Sequence, residues 1–89
     1  MKDRYLEITF SNGKALAAYL YFKQDRSAPS ARSEKIDDDL IVDYDSNGKP
    51  IGLEIVSPST TSIEQIKAAL NKLNIEPISD KDLSPLQAA

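Results

Sequence analysis

The chain has 89 residues, with 11 Lys and Arg against 14 Asp and Glu, for a formal net charge of −3. That length is one domain near the lower end of what buries a self-sufficient core, and the acidic balance argues against general nucleic-acid binding, which needs a basic footprint. Cys and His are absent, which excludes disulfides, removes the usual zinc and haem ligands, and leaves no His- or Cys-based nucleophile–base pair. No run approaches the roughly 18 apolar residues of a membrane span. The opening residues lack the apolar core of a signal peptide, so the expected location is cytoplasmic.

Tyr5 to Phe10 predicts a strand with Leu6, Ile8 and Phe10 on one face. Ser11-Asn12-Gly13-Lys14 is a turn, and Leu16 to Phe22 a second strand. A helical turn over Lys14 to Ala18 competes there, because Ala and Leu are good helix formers. In the strand reading Leu16, Ala18, Leu20 and Phe22 point one way and Ala17, Tyr19 and Tyr21 the other. A strand apolar on both faces must be covered on both. One amphipathic helix covers one face of a small sheet. The other cover is the loop around Pro29, a tail carrying Leu83 and Leu86, or another chain.

Lys23 to Ser33 is polar and reads as a loop. Lys23, Arg26, Arg32 and Lys35 gather around it, as a solvated surface or a contact for phosphate or an acidic partner. Arg32 to Ile36 fits a short edge strand, and Asp37-Asp38 marks a turn.

Leu40 to Asp45 and Lys49 to Val56 form a hairpin around Asn47-Gly48, the strongest short-range hairpin signal. With those two residues central in a type I′ turn, Ser46 faces Lys49. Then Tyr44 opposes Ile51, Val42 opposes Leu53 and Leu40 opposes Ile55, an all-apolar face. Ile41 opposes Glu54 and Asp43 opposes Gly52 on the other. A one-residue slip would mix the faces. Pro50 favours an edge or non-bonded position.

The same stretch imitates a calcium loop, with Asp43, Asp45, Asn47, Gly48 and Glu54 at the spacing of an EF-hand. The flanks are strand-like rather than helical. Pro50 has no N–H for the pairing that such loops make. On a hairpin, Glu54 lies along the strand and cannot close a bidentate site at the tip. The hairpin is the better reading, and no metal or cofactor site is expected. Asp43, Asp45 and Glu54 stay as an alternative ligand or divalent-ion site. Asp43 and Glu54 share one face, where acid–base work competes with simple solubility and edge protection.

Ser57-Pro58-Ser59 breaks the strand. Thr61 and Ser62 are both plausible helix N-caps, with Glu64 and Gln65 at the respective capping-box positions. The predicted helix spans Ser62 to Asn74, with Ile63, Ile66, Ala69, Leu70 and Leu73 in one stripe and Pro77 as its stop. Ser79 to Leu83 looks like a short capped turn. The expected organisation is a single domain over residues 1–78 and a turn with a partly frayed tail over 79–89.

Ile36-Asp37-Asp38-Asp39-Leu40-Ile41-Val42-Asp43-Tyr44-Asp45, followed by Gly48, Gly52, Glu54 and Ile55, resembles a family of small, mainly bacterial proteins catalogued as domain of unknown function 2283. The resemblance is strongest over Ser33 to Ser59. Ala18-Tyr19-Leu20-Tyr21 resembles an earlier strand of that family. The family's Tyr-Asp-x-x-x-Asp segment is missing from Phe10 to Ala15. The resemblance implies a compact β-rich fold and no chemistry, with an antitoxin-like neutralising role suggested by toxin-like neighbours of some members.

The expectation is therefore an α+β domain: a mostly antiparallel four- to five-stranded sheet with one C-terminal amphipathic helix on one face. The expected function is non-enzymatic: a protein-interaction module, as a homodimer or as the neutralising partner of a small protein. Tyr19, Tyr21 and Phe22 are the expected contact residues. Neither nucleic acid nor membrane is an expected partner.

Overall fold

The computed structural model describes residues 5–22 and 29–86. Lys23 and Arg26 of the basic cluster, with most of the polar loop and the last three residues, lie outside that range. Five strands follow in chain order: β1 (Tyr5–Ser11), β2 (Lys14–Tyr21), β3 (Arg32–Asp37), β4 (Leu40–Tyr44) and β5 (Pro50–Ile55). They form one antiparallel sheet in the order β1-β2-β5-β4-β3. Two helices, α1 (Ile63–Lys72) and α2 (Asp80–Leu83), and a 3-10 turn over Ser84–Leu86 follow. This is the α+β class expected, at the five-stranded limit.

Lys14 to Ala18 is strand, not helix. Alternating burial along β2, with Ala18 and Leu20 buried, shows tertiary packing overriding local helix propensity. Asn12 and Gly13 both take positive φ, at 53° and 78°, as a two-residue type I′ turn requires.

The β4–β5 register matches the expected one at Leu40–Ile55, Ile41–Glu54, Val42–Leu53 and Asp43–Gly52. It departs at the tip, where Tyr44 faces Pro50 and the register shifts between Asp43 and Tyr44. Gly48 has positive φ but Asn47 does not. Gly48 N–H donates to the Asp45 carbonyl at 3.0 Å and Asp45 N–H to the Lys49 carbonyl at 2.9 Å. The loop is thus a type I turn closed by a left-handed glycine, and the expected Asn-Gly type I′ turn is not formed. The cause is the Asp45 carboxylate, whose Oδ1 accepts from the amides of Asn47 and Lys49, each at 2.9 Å. A bulge on β5 then restores the register and leaves Ile51 buried.

Ser62 caps α1: its hydroxyl accepts from Gln65 N–H at 3.1 Å, and Gln65 Oε1 accepts from Ser62 N–H at 2.8 Å. The helix closes at Asn74, where the predicted helix ends. Asn74 has φ 58°, its N–H bonds to the Asn71 carbonyl, and Ile75 N–H bonds to the Leu70 carbonyl. That is a Schellman closure with Asn in place of Gly.

One layer of side chains joins these elements. Leu20, Val42, Leu53 and Ile55 from the sheet pack in one cluster with Ile66 and Leu70 of α1. Ile78, Leu83 and Leu86 join the same cluster, so residues 79–86 complete the core. The tail therefore covers the helix side of the sheet and not its other face. Phe22 also belongs to this cluster, at 9% exposure. Leu16, expected beside it, is 56% exposed. The β1–β2 hairpin carries Leu16 and Phe10 past the helical layer.

Candidate functional site

The sheet face opposite the helices carries every second residue of its strands. On β1 these are Tyr5, Glu7 and Thr9, in register with Tyr21, Tyr19 and Ala17 of β2. Across β5, Tyr19 aligns with Glu54 and Tyr21 with Gly52. Asp43 of β4 also faces Gly52, and Ser33 of β3 faces Asp43.

Tyr19 does not stay on its own rung. Its ring leans diagonally over Gly52, and its hydroxyl donates to Asp43 Oδ2 at 2.6 Å. A β-carbon at Gly52 would fall within the Tyr19 ring. The missing side chain is what lets a β2 tyrosine reach β4 across β5. Ser33 Oγ donates to the other Asp43 oxygen, Oδ1, at 2.5 Å. One carboxylate thus ties β2, β4 and β3 together. Tyr21 packs beside Tyr19 with ring centroids 4.6 Å apart, and Tyr5 follows Tyr21 at 6.0 Å. These distances and the tilted planes, at 52° and 50°, are favourable aromatic geometry.

Burial is the first reason that the Tyr19 phenol is pushed above its usual value of 10.0. The hydrogen bond to Asp43 adds to the shift, followed by the charge of Asp43 and the nearby Tyr21 and Glu54. An acceptor that needs the phenolic proton favours the neutral form. The arrangement holds a proton in place, and both Asp43 oxygens already accept from hydroxyls.

The six residues singled out from the sequence separate accordingly. Tyr19 and Tyr21 lie together on the open face. Phe22 sits in the core because it continues the Ala18–Leu20 side of the strand, so a partner cannot reach it. Asp43 and Glu54 share the open face on diagonal positions. Asp45 is engaged by the backbone of its own loop. Among the described residues no group of three or more potential ligands is placed to hold a metal ion. A groove of about 160 Å³ between the β3–β4 end and α1, lined by Ile36, Leu40, Ala68, Ala69 and others, is smaller than the ~300 Å³ at which ligand pockets begin.

Sequence reasoning missed Ser33 and the role of Gly52. A glycine inside an apolar strand is a signal of close approach. Its partner can be found only once β2 is known to lie beside β5.

A five-stranded antiparallel sheet with one helical layer and a tyrosine-bearing open face defines a two-layer α+β domain. Residues 17–59 match the model of a family described as protein of unknown function (DUF2283), which bears out the resemblance, the Ala18-Tyr19-Leu20-Tyr21 part of β2 included. No curated protein and no solved structure matches the chain. The matched stretch contains the whole Tyr19–Gly52–Asp43–Ser33 arrangement.

Proposed function

We propose that this chain is a non-enzymatic protein-interaction module that uses its open sheet face to bind a small basic protein, as an antitoxin-like neutraliser would. The supporting observation is the position of the tail. Leu83 and Leu86 pack with α1 on one side of the sheet, leaving the tyrosine row on the other. Along one rung, Glu7, Tyr19 and Glu54 stand side by side on β1, β2 and β5. Val56, 41% exposed, follows on the same face. Neither Glu7 nor Glu54 has an ion-pair partner among the described residues. Arg or Lys side chains of a partner can stack on tyrosine faces and pair with these carboxylates. Tyrosine supplies contact area plus a hydroxyl at low entropic cost, which suits interface cores.

The test is affinity purification of the tagged chain from its native host, with mass and stoichiometry measured on the eluate. A small basic chain in fixed ratio is expected, with Glu54→Lys and Tyr21→Ala each weakening its retention. A bare eluate, or a partner whose retention ignores both changes, would sink the proposal.

A further inference from the structure

We infer that β1 is a self-pairing edge: two copies join β1 to β1 antiparallel about a twofold axis at Ile8, making one continuous sheet. This edge borders the open face and shares Glu7 and Thr9 with it, but its backbone pairing does not depend on the function proposed for that face.

The two sheet edges differ in character. β3, with the sequence RSEKID, is charged along its length, mostly exposed, and interrupted by a register shift between Lys35 and Asp37. Those features blunt an edge. β1, with the sequence YLEITFS, has Glu7 as its one charged residue and is regular from Tyr5 to Thr9. Among the described residues, three of the four exposed large apolar or aromatic side chains belong to its hairpin: Tyr5 at 44%, Phe10 at 55% and Leu16 at 56%.

Backbone direction fixes what β1 offers. Phe22 N–H donates to the Ile51 carbonyl of β5, so Leu20 and Ala18, two and four residues before it, also turn their backbone groups toward β5. Tyr19 and Tyr21 then turn theirs toward β1 and take Glu7 and Tyr5 as hydrogen-bonded partners. Leu6, Ile8 and Phe10 are left with N–H and C=O pointing outward from the sheet. With the axis at Ile8, Ile8 faces Ile8 of the second copy and Leu6 faces Phe10. Every outward group of those three residues gains a partner. The same pairing places Leu6, Ile8 and Phe10 of both copies together on the helix side, where the helical layer leaves Phe10 uncovered.

Charge selects this register. On the open side Glu7 faces Thr9 of the second copy. Moving the axis to Glu7 would put two carboxylates directly opposite, which is unfavourable. In the favoured register Glu7 and Thr9 form a non-hydrogen-bonded pair with Cα atoms about 4.5 Å apart.

Sedimentation equilibrium on the full chain is expected to show a monomer–dimer equilibrium. Thr9→Lys, on the exposed side of β1, places an ammonium against Glu7 twice per dimer and should tighten association about tenfold. Thr9→Glu should weaken it by a similar factor. Because the chain has no cysteine, a mixture of Glu7→Cys and Thr9→Cys proteins should cross-link under oxidation faster than either variant alone. A chain that stays monomeric at millimolar concentration overturns the inference. So does a dimer indifferent to both Thr9 changes, or faster cross-linking by Glu7→Cys alone.

Discussion

A β-carbon at residue 52 would meet the Tyr19 ring, so Gly52→Ala must displace the ring and strain the Tyr19–Asp43 bond. Overpacking of this kind costs about 1–3 kcal/mol. The cost should largely vanish in a Tyr19→Ala background, because the obstacle is then gone. A double-mutant cycle by urea denaturation measures that coupling, and additive effects would count against the ring-over-glycine geometry. The Tyr19 phenol gives a pH signature as well. Its folded pKa lies above the ordinary 10.0, so its contribution to stability is complete below pH 10. Above that value the unfolded phenol ionises while the folded one keeps its proton, and stability falls as pH rises until the folded pKa is passed. Denaturant midpoints of the protein and its Tyr19→Phe variant should therefore converge as pH rises beyond 10. Parallel curves would show that the phenol is not held in its neutral form. Asp43, Gly48 and Gly52 carry much of the resemblance to the family, and each has a structural task here. The first anchors Tyr19 and Ser33, the second closes a turn with positive φ, and the third makes room for a ring.

The two Asn-Gly-Lys tripeptides show which parts of an element the sequence makes legible. After Ser11, Asn12-Gly13 forms the type I′ turn that the dipeptide favours. After Asp45-Ser46, the same dipeptide sits one position later in a different loop, because the Asp45 carboxylate captures the amides of Asn47 and Lys49. Apolar alternation still set the register of four β4–β5 pairs, since any slip would have exposed Leu40, Val42, Leu53 and Ile55. A single side-chain capture changed the tip without disturbing the faces. At the end of α1 the boundary was legible but its means was not. Pro77 is a visible stop, yet Asn74 ends the helix by adopting the left-handed region. Asn tolerates that region better than other non-glycine residues. Asn74→Ala should therefore destabilise by about 1 kcal/mol, and Asn74→Gly should be neutral or stabilising. Thermal unfolding that ranks Ala above Gly would contradict the Schellman closure.

At the scale of the whole molecule, strand existence, class and helix stripe were legible because periodicity reports which face is buried. Strand order was not, because nothing local says that β2 lies beside β5. That missing neighbour hid the Tyr19–Asp43 clamp and the side on which the tail packs. Leu83 is fully buried in the common core, so Leu83→Ala should cost about 2–5 kcal/mol. A loss under about 0.5 kcal/mol on chemical denaturation would mean that the tail is not integral to the domain. The sheet order also dictates a timetable. β5, in the middle of the sheet, is the last of the described strands in chain order, and its pairing of Ile55 with Ala18 spans far more sequence than the hairpin contacts beside it. The β1–β2 hairpin and the β3–β4 pair can close locally, whereas the seam between them costs loop entropy and is slow. During synthesis β2 has no partner on its inner edge until residue 55 has emerged. For that interval the inner edge of β2 is open to strand capture by another chain, in addition to the outer edge of β1.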